Sequence, residues 1–246
     1  MHYLLVNDDG VGAPGLHTLA RALEERGDVV AIVAPNTERS GSSHGITIKR
    51  SIDLMPASLP GVRGRAYGIS GTPADCVRVG LHLFPETTMV LSGINRGLNL
   101  GVDTLYSGTV SAALEAGIYG VGALAVSTQC IWATGEIDYD RAARLAMDVL
   151  DRYGSFVREK RAVLSLNIPY EVADETLRLA PVGEPAYYRY ELMEAEGKIT
   201  PREKIRSTPD GKSDRGIVEA GGVSLTPLQY DLTHHVLLAK LMEMER

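Results

Sequence analysis

Residues 4–16, LLVNDDGVGAPGL, decide the fold because they join the end of a strand to the start of a helix. The apolar run at 4–6 is typical of a buried strand, and the glycine-rich segment after it is typical of a tight turn. From Leu16 onward apolar residues recur at helical spacing, until a glycine at position 27 ends the pattern. The stretch therefore predicts a strand–turn–helix unit whose turn carries two adjacent carboxylates, Asp8 and Asp9.

The same alternation of strand and helix patterns continues beyond this unit. Continuous apolar runs indicate further buried strands at 29–35, 88–93, 121–127 and 162–169, and helical patterns cover 71–84, 109–120 and 139–154. Thr72 followed by Pro73 is a typical helix start, with the hydroxyl as cap and proline at the first position. Apolar strands alternating with helices predict an α/β fold with a doubly wound, mostly parallel, Rossmann-like sheet.

The pattern changes after residue 181, and we divide the chain there. Residues 1–181 are predicted to form the Rossmann-like catalytic core. Residues 182–230 are interpreted as an excursion, an antiparallel hairpin arm for oligomer contacts, although a long surface loop is the alternative. Residues 231–246 predict a C-terminal amphipathic helix, capped by Asp231 or Thr233.

Composition narrows the class of protein. The chain has 246 residues, 44% of them hydrophobic, and a formal net charge of −6, so no basic field favours a nucleic-acid polymer. Its two cysteines, Cys76 and Cys130, are far apart and outside any metal-ligand spacing, which indicates buried thiols in a reducing compartment. No apolar run is long enough for a membrane span, and the chain shows no signal segment. We expect a cytoplasmic protein without membrane contact.

Gly10, Gly12 and Gly15 match the Gly-x-Gly-x-x-Gly fingerprint of dinucleotide-binding units, which makes a dinucleotide-dependent oxidoreductase one alternative. In such units the second strand ends in an acidic residue that binds the ribose hydroxyls. Here that strand ends at Pro35 and Asn36, and the adjacent carboxylates would repel a pyrophosphate. These departures disfavour the cofactor interpretation.

A metal site uses the same turn differently. Asp8 and Asp9 at a buried strand end are costly unless a cation or partner balances them, and carboxylates suit hard divalent ions. Ser40 and Asn95 lie in other loops that should reach the same sheet edge, and each offers a neutral oxygen ligand. The alternative is that the two aspartates simply cap the helix that follows.

The segment beginning at Ser107 predicts an anion site. Ser107, Gly108 and Thr109 stand at or just before a helix start, where free amides and hydroxyls favour phosphate. An ordinary helix cap is the alternative for these residues.

Six polar or glycine-rich motifs follow one another along the chain: VNDDG (6–10), VAPNTERSGSSHGIT (33–47), GTPADCV (71–77), SGINRGLNLG (92–101), YSGTVSAALEA (106–116) and SLTPLQYDLT (224–233). Taken together and in this order, they resemble the SurE family, the stationary-phase survival proteins. Between 182 and 222 the similarity is small, apart from Asp214.

The resemblance implies a metal-dependent nucleotidase that releases phosphate from nucleoside 5′- or 3′-monophosphates. It implies one divalent ion per subunit, Mg²⁺ or Mn²⁺, with Asp8, Asp9, Ser40 and Asn95 as its ligands. It also implies a homodimer, or a dimer of dimers, in which C-terminal elements are exchanged between subunits.

On this hypothesis Asp8 and Asp9 are the catalytic residues, with Asp8 acting as metal ligand, base or nucleophile. Phosphate and substrate would be bound by Asn95, Ser107, Gly108, Thr109, Ser43 and His44. His44 is a candidate proton donor to the leaving oxygen, and a loop histidine without a role is the alternative. The remaining functional alternative is a non-catalytic nucleotide-binding regulator.

Overall fold

The computed structural model describes residues 1–184, 188–195, 197–205 and 211–245, and within them it contains a nine-stranded sheet and a separate two-stranded hairpin. The strands in chain order are β1 (His2–Val6), β2 (Val29–Pro35), β3 (Leu54–Ala57), β4 (Arg65–Ile69), β5 (Met89–Arg96), β6 (Ala123–Thr128), β7 (Val163–Ile168), β8 (Asp174–Leu179), β9 (Tyr188–Ala195), β10 (Lys198–Ile205) and β11 (Gly222–Leu228).

The large sheet has the order β3-β4-β2-β1-β5-β6-β7-β11-β8. The five central strands from β2 to β7 are parallel, and β4 extends them in the same direction. The antiparallel pairs are β3 with β4 and β11 with β7, both away from the centre. The strand order reverses direction between β1 and β5, so the predicted doubly wound α/β fold is confirmed.

Helices cover both faces of this sheet. They are α1 (Pro14–Glu25), α2 (Pro73–Leu83), α3 (Gly108–Ile118), α4 (Tyr139–Lys160), α5 (Asp214–Glu219) and α6 (His235–Met244), with a short 3₁₀ helix at Gly101–Leu105. The predicted cap of α2 is present as a full capping box, in which Thr72 and Asp75 each accept the other's backbone N–H. The pairs α1–α4 and α2–α3 pack side by side.

Two apolar cores follow from the alternation of side chains along the strands. In β1, Leu5 packs with α1 and α4 on one face, whereas Leu4 and Val6 pack with α2 and α3 on the other. All three side chains are fully buried. Such burial on both faces explains why the central strands are continuous apolar runs and do not alternate with polar residues.

The C-terminal part contains the predicted hairpin, β9 paired antiparallel with β10. The division at 181 and 230 stays a prediction; the large sheet itself includes β11, which comes from the 182–230 segment and lies between β7 and β8. The predicted cap of α6 was wrong: the cap is His234, whose Nδ1 accepts the Leu237 N–H, because Asp231 is bonded to Thr233 and His235 instead.

Cys76 and Cys130 are both buried free thiols, as predicted. In the described part of the chain, no helix combines the length and the apolar character that crossing a membrane requires.

Candidate active site

The turn after β1 is closed by its own first residue. The Asn7 side chain donates to the Gly10 carbonyl at 2.9 Å and accepts the Gly10 N–H at 3.3 Å. Gly10 has a φ of +102°, a conformation that a side chain would strain. This closed turn presents Asp8 and Asp9 at the carboxyl edge of the sheet, where ligands bind in doubly wound folds.

Asp8 lies against the start of α3. Its carboxylate is 5% exposed and accepts a hydrogen bond from the Thr109 hydroxyl. A Cβ atom placed on Gly108 would lie 2.9 Å from the Asp8 Cβ, so only glycine allows this close approach. The Asp8 carbonyl also accepts the Arg39 N–H at 2.7 Å. Three segments far apart in sequence therefore meet at Asp8.

Asp9 faces the end of β5. Its Oδ2 accepts the backbone N–H of Arg96 at 3.1 Å. The neighbouring Asn95 donates its side-chain N–H to the Gly97 carbonyl at 2.9 Å, a bond that uses the nitrogen of the amide and not its oxygen. Asp9 is therefore bonded to the residue that directly follows Asn95, so the backbones that carry these two predicted ligands are neighbours.

Ser40 reaches the same edge through the loop after β2. The backbone of the preceding residue, Arg39, is bonded to Asp8, and the Ser40 hydroxyl donates to Glu38 Oε1 at 2.6 Å. Glu38 is a third acidic group near the site, and sequence reasoning missed it. Its sequence position past Pro35 gave no indication that the loop folds back toward the turn after β1.

The two aspartates are electrostatically unbalanced. Burial raises the pKa of Asp8, although hydrogen bonds from Thr109 partly oppose this. Burial also raises the pKa of Asp9 to about 6, against the Arg96 N–H that lowers it, and the charges of Asp8 and Glu38 raise it further. A nearby divalent cation would favour the charged forms of both carboxylates.

The donor set at this edge fits a hard cation with few protein ligands. Among residues 1–184, 188–195, 197–205 and 211–245, no group of three or more His, Cys, Asp or Glu side chains is arranged to hold a metal. A cation here would therefore depend on two carboxylates together with neutral oxygens and water, which is how Mg²⁺ commonly binds.

The predicted anion residues lie next to Asp8, but two of their hydroxyls have structural partners. Ser107 caps α3 by accepting the Val110 N–H at 3.1 Å, and Thr109 donates to Asp8. The same three residues therefore both cap α3 and contact Asp8. The first backbone amides of α3, with its positive dipole end, remain the groups that favour an anion at this position.

Ser43 and His44 are placed along α3 and the 3₁₀ helix. Ser43 has a φ of +52°, and its hydroxyl donates to the Leu105 carbonyl at 2.7 Å. His44 Nε2 lies 2.8 Å from Glu115 Oε2, and Glu115 is seven residues beyond Gly108, about 10 Å along the helix. The structure thus brings His44 to the side of α3 and not to its first turn.

Asp214 secures the glycine-rich loop that follows β5. Its carboxylate is 1% exposed and accepts the N–H groups of Gly101 at 2.9 Å and Gly183 at 2.8 Å. Behind the same loop, Asn99 and Asn167 exchange hydrogen bonds through backbone and side chain. These buried bonds fix the segment between Asn95 and Ser107, and neither its length nor its composition indicated them.

The three fingerprint glycines have different surroundings. A Cβ on Gly15 would lie 2.1 Å from the Ile94 carbonyl, so this glycine allows α1 to pack closely on β5. No atom lies within 4 Å of a Cβ placed on Gly12. Tight turning and close packing thus account for Gly10 and Gly15 without a dinucleotide.

A doubly wound sheet that presents paired, buried carboxylates beside a helix start at its carboxyl edge defines an α/β protein with a candidate ligand-binding site at that edge. Within that class, the model of the survival protein SurE family matches residues 3–189, and the chain belongs to this family. The family prediction made from the motifs is confirmed, and the match extends well beyond residue 116, where the last motif of the N-terminal run ends.

Relatives similar along their whole length support the assignment. A 5′-nucleotidase SurE of Clostridium beijerinckii is 39% identical over 246 residues, covering 97% of each chain. One of Clostridium botulinum strain 657 is 43% identical, covering 97% of this chain and 96% of its own. The crystal structure of the SurE protein from Aquifex aeolicus superimposes with a TM-score of 0.80 at 30% identity, covering all of both chains.

Proposed function

We propose that this chain is a divalent-metal-dependent phosphomonoesterase that hydrolyses nucleoside 5′-monophosphates, and 3′-monophosphates, to nucleoside and phosphate. The observation that carries the proposal is the meeting of Asp8, Asp9 and the first turn of α3 at one sheet edge. The relatives named 5′-nucleotidase supply the substrate class.

One ion per subunit, Mg²⁺ or Mn²⁺, would be held by Asp8, Asp9, Ser40 and Asn95. When bound, such an ion polarises a phosphate oxygen and favours ionised water at neutral pH. Every other contribution comes from the chain. The start of α3, with the Gly108 amide, orients the phosphate, and the helix dipole stabilises its developing charge.

In this proposal Asp8 also acts as a base, because it belongs to the acid pair and contacts the start of α3. Its carboxylate takes a proton of the attacking water as the water oxygen bonds to phosphorus and the ester bond breaks, and the departing ribose oxygen takes up a proton from solvent. Direct attack by Asp8 on phosphorus is the competing route, and it would form an aspartyl phosphate. Borohydride reduction of rapidly quenched single-turnover samples separates the two, since only the second route leaves an acyl phosphate on Asp8, which borohydride reduces to homoserine.

The decisive experiment replaces one atom of the acid pair. Asp8→Asn should lower phosphate release from adenosine 5′-monophosphate with Mn²⁺ by at least about 1,000-fold, because the ligand charge and the proton acceptor are both lost. The exposed acid of α4 gives a matched control: Asp148→Asn should retain full activity. Near-normal turnover by Asp8→Asn would overturn the site assignment.

The same assay distinguishes the alternative function. Chelator-sensitive phosphate release indicates the enzyme. Nucleotide binding without any release, with or without a chelator, would indicate a non-catalytic regulator.

We also propose that the protein is a homodimer or a dimer of dimers that exchanges its C-terminal elements. The support is α6, none of whose residues is buried within one chain. Its exposed apolar side chains are Val236, Leu237, Leu238, Leu241, Met242 and Met244. Sedimentation of the full chain measures the assembly directly, and a monomer at micromolar concentration would contradict it.

A further inference from the structure

The single tryptophan of the chain lies beside the candidate active site. Trp132 follows β6 in a turn that is closed by the Ile131 N–H and the Glu136 carbonyl at 2.9 Å. Its side chain is 71% exposed. A tryptophan so exposed contributes little to the core, because most of its apolar surface stays in water.

Two contacts tie this indole to the residues of the acid pair. The guanidinium carbon of Arg96 lies 5.0 Å from the Trp132 ring centroid, over one face. Arg96 is also the residue whose backbone N–H is bonded to Asp9. This cation–π contact therefore holds the Trp132 ring next to the end of β5, where the Arg96 N–H is bonded to Asp9.

The second contact comes from Gly97. A Cβ placed on Gly97 would lie 3.7 Å from Trp132 Cζ2, so the ring edge approaches the backbone there. The carbonyl of Gly97 accepts the side chain of Asn95, one of the proposed metal ligands. Trp132 thus lies beside the segment 95–97, which carries the proposed ligand Asn95 and the backbone N–H that is bonded to Asp9.

We propose that the free face of Trp132 is the stacking platform for the base of the nucleoside monophosphate, an inference that rests on the proposed function. One face is covered by the Arg96 guanidinium, and the high exposure of the side chain leaves the other face to a planar ligand. Stacking on an indole tolerates every base, because each base has a π face. The platform therefore favours nucleotides over other phosphate esters without selecting one base.

The first test separates base from phosphate by comparing two substrates. Trp132→Ala should raise the KM for adenosine 5′-monophosphate by roughly fivefold or more, the lower part of the range for base–aromatic stacking. The KM for ribose 5-phosphate, the same ester without a base, and both kcat values should stay near wild type. Trp132→Phe keeps a ring and should recover most of the loss.

A matched control removes an exposed aromatic from the other edge of the sheet. Phe156 is 57% exposed near the end of α4, close in sequence to the start of β7. Phe156→Ala should leave the KM values of both substrates unchanged, which excludes a general effect of losing exposed aromatic surface.

A second readout does not depend on activity. Because Trp132 is the single tryptophan, protein fluorescence excited at about 295 nm reports on this residue alone. Adenosine should quench this emission in a saturable way, whereas ribose should not.

These experiments distinguish a failure of the stacking platform from a failure of the proposed function. Equal KM changes for both esters, or no change for either, together with no response to adenosine, would overturn the stacking platform while leaving the phosphatase intact. If the wild-type protein released phosphate from neither ester, the proposed function would fail, and the adenosine titration would still establish or exclude the platform.

Discussion

Two helices of similar length show how differently this chain uses apolar residues. In α3, of 11 residues, eight are buried, and its first turn touches Asp8. In α6, of 10 residues, none is buried, although its composition is also rich in apolar side chains. Length and composition are therefore poor guides to burial; what separates the two helices is whether a sheet face of the same chain covers them.

The difference has consequences for function. Because α3 packs on the sheet and beside α2, the position of the helix start relative to Asp8 is set by packing within one chain. The apolar surface of α6 lacks such cover from the part of the chain that the structure describes, and surfaces of this kind commonly mark contacts between proteins. The site is thus expected to be rigid and the C-terminal helix to depend on assembly.

Within this comparison of the two helices, the largest expected effect comes from separating α3 from Asp8. Gly108→Ala places a methyl group 2.9 Å from both the Asp8 Cβ and the Pro73 Cγ, so the helix start or the acid must shift. Displacements near 1 Å in a catalytic site cost about 100-fold in rate. We expect a loss of that order in phosphate release, measured with adenosine 5′-monophosphate and Mn²⁺.

Gly12→Ala is the matched control, since a methyl group there meets no atom within 4 Å. This variant should keep wild-type activity. Unchanged activity in Gly108→Ala would show that the contact between α3 and Asp8 is not needed for the chemistry, and the comparison of the two helices would lose its functional meaning.

The next effect concerns stability and compares one valine from each helix. Val110 in α3 is fully buried, whereas Val236 in α6 is 66% exposed. Val110→Ser should lower the free energy of unfolding by about 2–3 kcal/mol, through lost apolar contacts and a buried hydroxyl. Val236→Ser should change the free energy of unfolding of the monomer by less than about 0.5 kcal/mol.

Urea unfolding at a protein concentration where sedimentation detects only monomer measures both values. The Val236→Ser variant should also weaken assembly at higher concentration. If it destabilised the monomer as much as Val110→Ser, α6 would be packed within its own chain and the contrast would be wrong.

The sequence predicts the centre of the fold well, because local pattern and tertiary position agree there. Central strands such as β1, β2 and β6 are buried on both faces, which makes them continuous apolar runs. The capping box at Thr72 is equally local. Strands β3 and β8 escaped detection for different reasons: β3 has only four residues and contains Pro56, whereas β8 is mostly polar and exposed.

The site is only partly predictable for a different reason. Strand ends and glycine loops indicate which segments meet at one edge, and Asp8, Asp9 and Asn95 follow from that. The hydrogen bond from Thr109 to Asp8 joins residues 101 positions apart, and the contact of His44 with Glu115 joins residues 71 apart. Such pairings depend on how α3 packs on the sheet, which no local spacing determines.

The smallest expected effect is the pH dependence of metal stabilisation, and it tests whether the rigid region is an ion site. The pKa of Asp9 is raised to about 6, so in the absence of metal the folded protein holds a proton that the unfolded chain has lost above about pH 4. This contribution of Asp9 to stability is therefore lost as the pH rises through 6.

A cation binds the ionised carboxylate, so its stabilising effect runs the other way and grows as the pH rises through 6. Saturating Mg²⁺ should raise Tm by a few degrees at pH 7.5, at roughly 2–4 °C per kcal/mol for a chain of this size, and by much less at pH 5. Differential scanning calorimetry measures both shifts. Asp9→Asn cannot ionise at this position, so its response to Mg²⁺ should be smaller and should change less near pH 6 than the response of the wild-type protein. If Mg²⁺ raised the Tm of the wild-type protein equally at both pH values, the ion would bind away from Asp9. The packing of α3 against Asp8 would then have no role in metal binding.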